Sequence, residues 1–389
     1  MSGLSINTGS TNNTIINPLV IPKLKFEGKF NYPVMTLGSN QWDGGLYSIN
    51  GGRSWDAPDT LEYNPEYTFI IGNGLSSNMN MSPNLTDVCI WSWEQGGGAG
   101  DCIRHLSHDA GRNWTSTAFI NAKHEYTHWN YDTNNIYLGG WAGGNKKSTD
   151  AGDNFTTITM SGGQQAVVFD SSNNENYIYA GMANNESIQY STNQGDSWTN
   201  VGVSTAGTGN ARIVKCTADG QYVIAYYGSY SIEADFSDNY GVSYTNLPNS
   251  ADAKVEIRRD GSSMMYTSNS TSRIYFSTNQ GTSWTFITSP FGNNYSTSFR
   301  QDYVNNEIYV WCAGYSTIYR VNDTGDDVEL VKTLDYNVNR FETSLYGRGY
   351  VYRADAPVEG NIYFSRNLQT WELIREGNAT NIGVYLSIF

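Results

Sequence analysis

The chain has 389 residues and a formal net charge of −14, with 23 lysines and arginines against 37 aspartates and glutamates. Such an acidic surface repels the phosphates of nucleic acids and anionic membranes, and without a run of about 18 apolar residues no membrane insertion is expected. The composition also argues against a helical protein, because 29 tyrosines, 11 tryptophans and 40 glycines favour an all-β chain of short strands separated by turns.

The first 27 residues differ from the rest, because serine, threonine and asparagine dominate them. This segment is predicted to be a flexible arm or attachment segment that can contact a protein partner, and residues 28–389 are predicted to form one domain. The start of the chain lacks the basic and apolar regions of a secretory signal peptide. The location is therefore left open between a virion-associated protein and one that is extracellular by a leaderless route.

A polar turn recurs along the chain with the pattern S-x-[DN]-x-G-x-[STN]-[WFY]. Its copies are SINGGRSW from Ser48, SHDAGRNW from Ser107, STDAGDNF from Ser148, STNQGDSW from Ser191, SDNYGVSY from Ser237 and STNQGTSW from Ser277. A shortened copy, SRNLQTW, begins at Ser365, and VNDTGDDV at 321–328 keeps Asp323 and Gly325 in register. After the first interval, copies begin every 40 to 46 residues. Such a period fits one four-stranded propeller blade per copy.

Each residue type in the turn has a physical role. Asp or Asn accepts hydrogen bonds from backbone N–H groups, Gly adopts a positive φ, and the aromatic residue begins the next strand. The predicted structural positions are Asn50, Gly52, Asp109, Gly111, Asp150, Gly152, Asn193, Gly195, Asn239, Gly241, Asn279, Gly281, Asp323 and Gly325.

The repeated turn resembles the Asp-box, or BNR repeat, of sialidases, xyloglucanase-type glycoside hydrolases, sortilin-like receptors and some propeller lectins. A whole unit, AVVFDSSNNENYIYAGMANNESIQYSTNQGDSWTNV, is similar to one blade of the xyloglucanase and sortilin type. The resemblance covers residues 33 to 389 and implies a single β-propeller. In these families the box is a structural turn on the face away from the active site, so the resemblance does not select an activity.

The fourth unit divides into four strands, from the inner to the outer position. They are Gln165–Asp170, Tyr177–Met182, Ser187–Thr192 and Ser197–Val201, with the repeated turn between the last two. Other inner strands are predicted at Glu66–Gly72, Glu125–Asp132, Ala211–Thr217, Val255–Arg259, Ser296–Gln301 and Arg340–Leu345.

The first unit has two predicted strands, Pro33–Gly38 and Gly45–Ile49, but no inner strand directly before them. The final segment, Ile382–Ile388, is predicted to supply it, which would close the propeller and cover two sheet edges. The expected count is eight four-stranded antiparallel blades. Seven is the alternative, if the irregular region 285–365 holds one blade fewer.

The connections from second to third strands lie at the end opposite the repeated turns, since strand direction alternates. Several combine aromatic residues with glycine, as in WSWEQGGGAGD and WCAGYS. Aromatic rings stack on sugars, and nearby amides and carboxylates bind hydroxyl groups. The predicted glycan-binding residues are Trp42, Trp93, Glu94, Trp141, Tyr227, Tyr230, Trp311 and Tyr315. Alternatively these rings pack between blades, an alternative that is strongest for Trp311 because it lies well inside a second strand.

Catalytic motifs are weak, and no catalytic residue is assigned. The sialidase-like Arg-Ile-Pro motif is replaced by Val20-Ile21-Pro22. A glycosidase needs two carboxylates that flank a cleft, and the spacing of the acidic residues in the connections does not pair any two of them. Without a CxxC pair a zinc site is not expected, and without a GxGxxG or Walker loop between a strand and a helix no cofactor is predicted. Cys89 and Cys102 allow either a disulfide across a hairpin or two buried thiols.

The sequence therefore favours a non-enzymatic propeller that binds a carbohydrate or glycoconjugate, as an adhesion or receptor-binding component associated with a virion or phage tail. Two alternatives stay open. One is a glycoside hydrolase of the Asp-box propeller type, and the other is a purely structural assembly or decoration module.

Overall fold

A computed structural model describes the strands and many of their connections. The described residues are 34–37, 46–48, 54–56, 67–69, 79–81, 87–94, 102–109, 111–119, 123–130, 135–142, 144–163, 165–183, 187–202, 211–227, 233–247, 254–268, 271–292, 297–302, 306–343, 349–354, 361–376 and 385–388. The predicted arm, residues 1–27, lies outside them. Within these ranges, no helix has both the length and the apolar character needed to cross a membrane.

The described residues form short β-strands and one 3-10 helix, Ser161–Gly163. The strands, in chain order, are β1 (Val34–Leu37), β2 (Leu46–Ser48), β3 (Tyr67–Phe69), β4 (Met79–Met81), β5 (Val88–Glu94), β6 (Cys102–Ser107), β7 (Thr115–Phe119), β8 (Lys123–Trp129), β9 (Ile136–Ala142), β10 (Asn145–Ser148), β11 (Thr156–Ile158), β12 (Ala166–Ser171), β13 (Ile178–Met182), β14 (Ser187–Ser191), β15 (Thr199–Gly202), β16 (Ala211–Cys216), β17 (Val223–Tyr227), β18 (Glu233–Ser237), β19 (Thr245–Asn246), β20 (Val255–Ile257), β21 (Met264–Ser268), β22 (Arg273–Ser277), β23 (Thr285–Thr288), β24 (Thr297–Asp302), β25 (Glu307–Cys312), β26 (Thr317–Val321), β27 (Val328–Thr333), β28 (Val338–Thr343), β29 (Tyr350–Ala354), β30 (Ile362–Ser365), β31 (Glu372–Arg375) and β32 (Tyr385–Ile388).

Most of the chain forms four-stranded antiparallel sheets whose strands follow chain order. They are β8–β11, β12–β15, β16–β19, β20–β23, β24–β27 and β28–β31. The inner strands of successive sheets lie side by side, as β12 does with β16 and β24 with β28. The fold is therefore an all-β propeller of four-stranded antiparallel blades.

One blade has an inner strand in two pieces. Both β3 and β4 pair with the same edge of β5: Tyr67 lies opposite Glu94, and Met81 lies opposite Val88. The two pieces together occupy the inner position, with β5, β6 and β7 following outward.

Among the described residues, seven sheets have all four positions, so the prediction of eight four-stranded blades is wrong and the alternative count of seven is confirmed. The eighth sheet, β2-β1-β32, has three strands in the part of the chain that the structure describes. Asn50 and Gly52 of the first repeated turn lie outside the described residues, which hold no fourth strand for this sheet. The region 285–365, where the alternative count removed a blade, holds the complete sheet β24–β27 and most of the next.

The last strand pairs with the first. Strand β32 is antiparallel to β1, with Val34 opposite Ile388 and Leu37 opposite Tyr385. Strand β32 also lies beside the inner strands β28 and β4. The two ends of the described chain therefore meet in one sheet.

The core lies between neighbouring sheets. Phe169 of β12 packs against Tyr137 of the preceding sheet and Trp198 of its own, with ring centroids 5.8 and 6.0 Å apart. Cys89 and Cys102 belong to another such cluster and are buried thiols. They are not opposite each other, since Cys89 pairs with Leu106 and Cys102 with Trp93, so the disulfide alternative is wrong.

Candidate functional site

The repeated turns are here called corners, and five of them share one hydrogen-bond pattern. In the corner at 191–198, Ser191 Oγ donates to Asn193 Oδ1 and accepts from the backbone N–H of Gly195, both at 2.9 Å. Asn193 Oδ1 also accepts from the N–H of Ser197 at 2.9 Å. The indole of Trp198 donates to the Gly195 carbonyl at 3.0 Å. Side chains of the repeat therefore satisfy the turn's own backbone groups.

The same serine, Asp or Asn, and glycine contacts occur in four other corners, at 107–114, 148–155, 237–244 and 277–284. Partial burial raises the pKa of Asp109, but hydrogen bonds from Asn113 and Ser107 outweigh it and leave that pKa below its ordinary value. Each corner joins the third to the fourth strand of a sheet, which places all of them at one end of the propeller.

The corner at 321–328 uses a different side chain from the predicted one. Asn322 Oδ1, and not Asp323, accepts from the N–H groups of Gly325, Asp326 and Asp327 at 2.8, 3.1 and 3.2 Å. Position 321 is valine, where the other corners have serine, so this turn lacks the hydroxyl that accepts from the glycine N–H in those corners. The side chain that accepts from the turn's backbone is therefore one residue earlier, at Asn322.

Corners also contact the preceding blade. The carbonyl of Gln194 accepts from Lys147 Nζ at 2.6 Å and from the Tyr137 hydroxyl at 3.2 Å. Ser263 Oγ donates to the Gly325 carbonyl at 2.7 Å. Polar groups at the corner end are thus used within turns and between blades.

The opposite end holds the connections from second to third strands and from each blade to the next. Trp93 and Glu94 end β5, Trp141 is the penultimate residue of β9, and Tyr227 ends β17. All four residues therefore lie where a second strand ends and its connection at this end of the propeller begins. Trp42 and Tyr230 lie outside the described residues.

Trp311 does not fit its predicted role, because its side chain is buried. It lies in β25 opposite Ser298 and Ile318, and it belongs to a core cluster with Val338 and Phe341. A ring enclosed between blades presents no face to a ligand, so the packing alternative holds for this tryptophan.

Tyr315 is exposed and held in place. It lies between β25 and β26 with 37% of its surface exposed, and its hydroxyl donates to the Phe291 carbonyl at 3.0 Å. The two rings meet edge to face, with centroids 5.2 Å apart. The carbonyl of Tyr315 accepts from the N–H of Val338, the first residue of the next inner strand, at 2.8 Å. Neighbouring segments on both sides therefore fix this exposed ring.

A second set of polar residues lies on the inner strands, and the sequence patterns did not identify it. Six ionisable residues occupy one register, each paired with the residue nine positions later in the second strand, as Lys215 pairs with Ile224 and Glu256 with Met265. The set, here called the inner belt, comprises His128, Asp170, Lys215, Glu256, Arg300 and Glu342.

The inner belt alternates in charge from Asp170 to Glu342, and the residues before its members, such as Phe169 and Phe341, are buried in the core. A single ionisable residue among apolar ones occurs in IVKC of β16, but the shared register becomes visible only when the inner strands of all units are aligned. Burial lowers the pKa of His128 to about 4. Burial also raises the pKa of Glu256, although Lys215 opposes that shift.

Comparisons with solved structures show similarity across most of the chain. Dihydro-heme d1 dehydrogenase NirN in complex with DHE has a TM-score of 0.57 at 11% identity, over 90% of this chain and 74% of that one. Hydrazine synthase of Kuenenia stuttgartiensis has a TM-score of 0.51 at 14% identity, over 77% and 99%. The GH74 xyloglucanase of Xanthomonas campestris has a TM-score of 0.49 at 11% identity, over 85% and 64%.

No protein-family model matches the sequence, and no curated protein matches it. The similar structures have unrelated activities, so the similarity supports the propeller fold alone.

Proposed function

We propose that the protein is a non-enzymatic glycan-binding propeller that binds its ligand at the end opposite the corners. The observation that carries the proposal is Tyr315, an exposed aromatic ring at that end whose hydroxyl and backbone are both hydrogen-bonded. Sugar C–H faces stack on such rings. A ring already fixed loses little conformational entropy when a ligand binds.

The remaining predicted residues extend this surface around the same end. Trp93, Glu94, Trp141 and Tyr227 lie at the ends of second strands, so each leads into a connection beside the proposed ligand. Trp42 and Tyr230 are assigned to the same surface from the sequence. Repetition of blades would repeat the aromatic positions, which suits a glycan with several sugar units.

The corners are assigned as Asp-boxes with a structural role. Their serine, Asp or Asn, and glycine contacts support that assignment, because those side chains are used within the turn. The pairing of β32 with β1 supports closure of the propeller by the last strand. The polar segment 1–27 is assigned as an arm for a protein partner, in keeping with an adhesion component of a virion or phage tail.

Replacing Tyr315 tests the proposal. A glycan array identifies a ligand, and isothermal titration then measures its affinity for each variant. We expect Tyr315→Ala to weaken binding at least tenfold, because the stacking ring is lost, whereas Tyr315→Phe keeps the ring and stays within about threefold. Phe286→Ala is the matched control, since Phe286 is 50% exposed but lies on the outer strand β23.

The same titration separates the alternatives. Release of a sugar product would assign a glycoside hydrolase, and the absence of binding to any glycan would leave a structural assembly module. Equal losses of affinity in Tyr315→Ala and Phe286→Ala would also contradict the proposal, because the ring at the opposite end would then have no special role.

A further inference from the structure

Ion pairs connect the inner strands of neighbouring blades at two places, between β16 and β20 and between β24 and β28. Lys215 Nζ of β16 lies 4.0 Å from Glu256 Oε1 of β20. Arg300 of β24 binds Glu342 of β28 through two contacts, Nε–Oε2 at 2.5 Å and Nη2–Oε1 at 2.9 Å. Arg340 Nε donates to Glu342 Oε1 at 2.9 Å.

Cations and carboxylates of this group differ in their access to water. The side chains of Lys215, Arg300 and Arg340 are 30%, 27% and 17% exposed. Those of Glu256 and Glu342 are 6% and 12% exposed. A solute that reaches the group therefore meets positive charge first, with the carboxylates recessed behind it.

This arrangement is unusual for the chain that contains it. The protein has a net charge of −14 and only 23 lysines and arginines, yet two arginines from neighbouring inner strands meet at one carboxylate, Glu342. Such a surface as a whole repels anions, so the local excess is not a consequence of general composition. Guanidinium groups bind carboxylate and phosphate oxygens through paired hydrogen bonds, and Glu342 holds both guanidinium groups in position.

We propose that Arg300 and Arg340, which both bind Glu342, form a binding site for a small anion with two or more negative charges, a phosphate or a polycarboxylate. The site is separate from the proposed glycan surface, because it is built from inner strands and uses charge in place of aromatic stacking. Phosphates and polycarboxylates both carry oxygen atoms that accept hydrogen bonds from guanidinium groups.

Titration with pyrophosphate and, in a second arm, citrate tests the site at constant ionic strength. We expect saturable binding by the unmodified protein and at least a fivefold weaker affinity in Arg340→Gln. Glu342 keeps its two contacts with Arg300 in that variant. Arg366→Gln is the matched control, because Arg366 is a partly exposed arginine paired with Glu372 in the corner region. Whichever anion binds more tightly identifies the ligand class.

Binding that does not saturate, or that is unchanged in Arg340→Gln, would overturn the proposal. Should Arg340→Gln fail to fold, crystals of the unmodified protein soaked in tungstate give an independent answer. The anomalous peak is expected within hydrogen-bond distance of the Arg300 and Arg340 guanidinium groups. A peak elsewhere, or none, would refute the site.

Discussion

Two histidines show how individual side chains affect the stability of this fold. His105 of β6 is 5% exposed, and its Nδ1 lies 2.9 Å from Ser116 Oγ. Burial and the nearby Arg104 both lower the pKa of His105 to about 4. His128 of the inner belt, hydrogen-bonded to Ser171 at 2.8 Å, has its pKa lowered to about 4 chiefly by burial. Both rings are therefore neutral in the folded protein at pH 7.

These shifts predict a loss of stability in mild acid. An unfolded histidine binds its proton near pH 6.5, whereas the folded residues do so near pH 4, so the unfolded state takes up protons first as the pH falls. The free energy of unfolding should decrease between pH 6.5 and 4 by up to about 3 kcal/mol for each histidine. Urea unfolding across this range measures it. His105→Gln should have a shallower slope, and a slope equal to that of the unmodified protein would contradict the account.

At the scale of the element, the corner combines a positive-φ glycine with close packing. Gly281 has a φ of 81°, and a Cβ at this position would overlap the buried ring of Phe236 in the preceding blade. Gly314, next to Tyr315, has a φ of 82°, but a Cβ there would have nothing within 4 Å. Comparing substitutions at these two glycines therefore separates the cost of a left-handed backbone from the cost of packing an added Cβ.

We therefore expect Gly281→Ala to be the more destabilising substitution. Both variants place an alanine in a left-handed conformation, which costs about 1–2 kcal/mol. Gly281→Ala adds the cost of overpacking against Phe236, typically about 1–3 kcal/mol. Chemical denaturation of both variants measures the difference. Similar losses would show that the corner does not pack as tightly as the structure indicates.

Local patterns predict most strands because corners and alternation are properties of neighbouring residues. The strands of the fourth unit were predicted within two residues of β12, β13, β14 and β15. The use of Asn322 could not be predicted from the pattern, because the choice between adjacent side chains depends on the backbone of the turn. The split inner strand is also nonlocal, since β3 and β4 are defined by their shared pairing with β5.

At the scale of the whole molecule, the number of blades and the position of the sites depend on contacts that are distant in sequence. Among the described residues, β32, β1 and β2 form a three-stranded sheet, and counting corners does not show how many strands a sheet has. The inner belt is likewise formed by six sheets that share one register, which was not apparent from any single unit. The burial of Trp311, by contrast, followed from its place inside a second strand.

The proposed function gives the two ends different roles: the corners hold the blades together, and the opposite end is proposed to bind a glycan. Hydrogen–deuterium exchange with and without the glycan selected by the array tests it most directly. We predict ligand-dependent protection in the segments around Phe291 and Tyr315, with no change in the corners at 191–198 and 277–284. Protection confined to those corners, with unchanged exchange around Tyr315, would contradict the account.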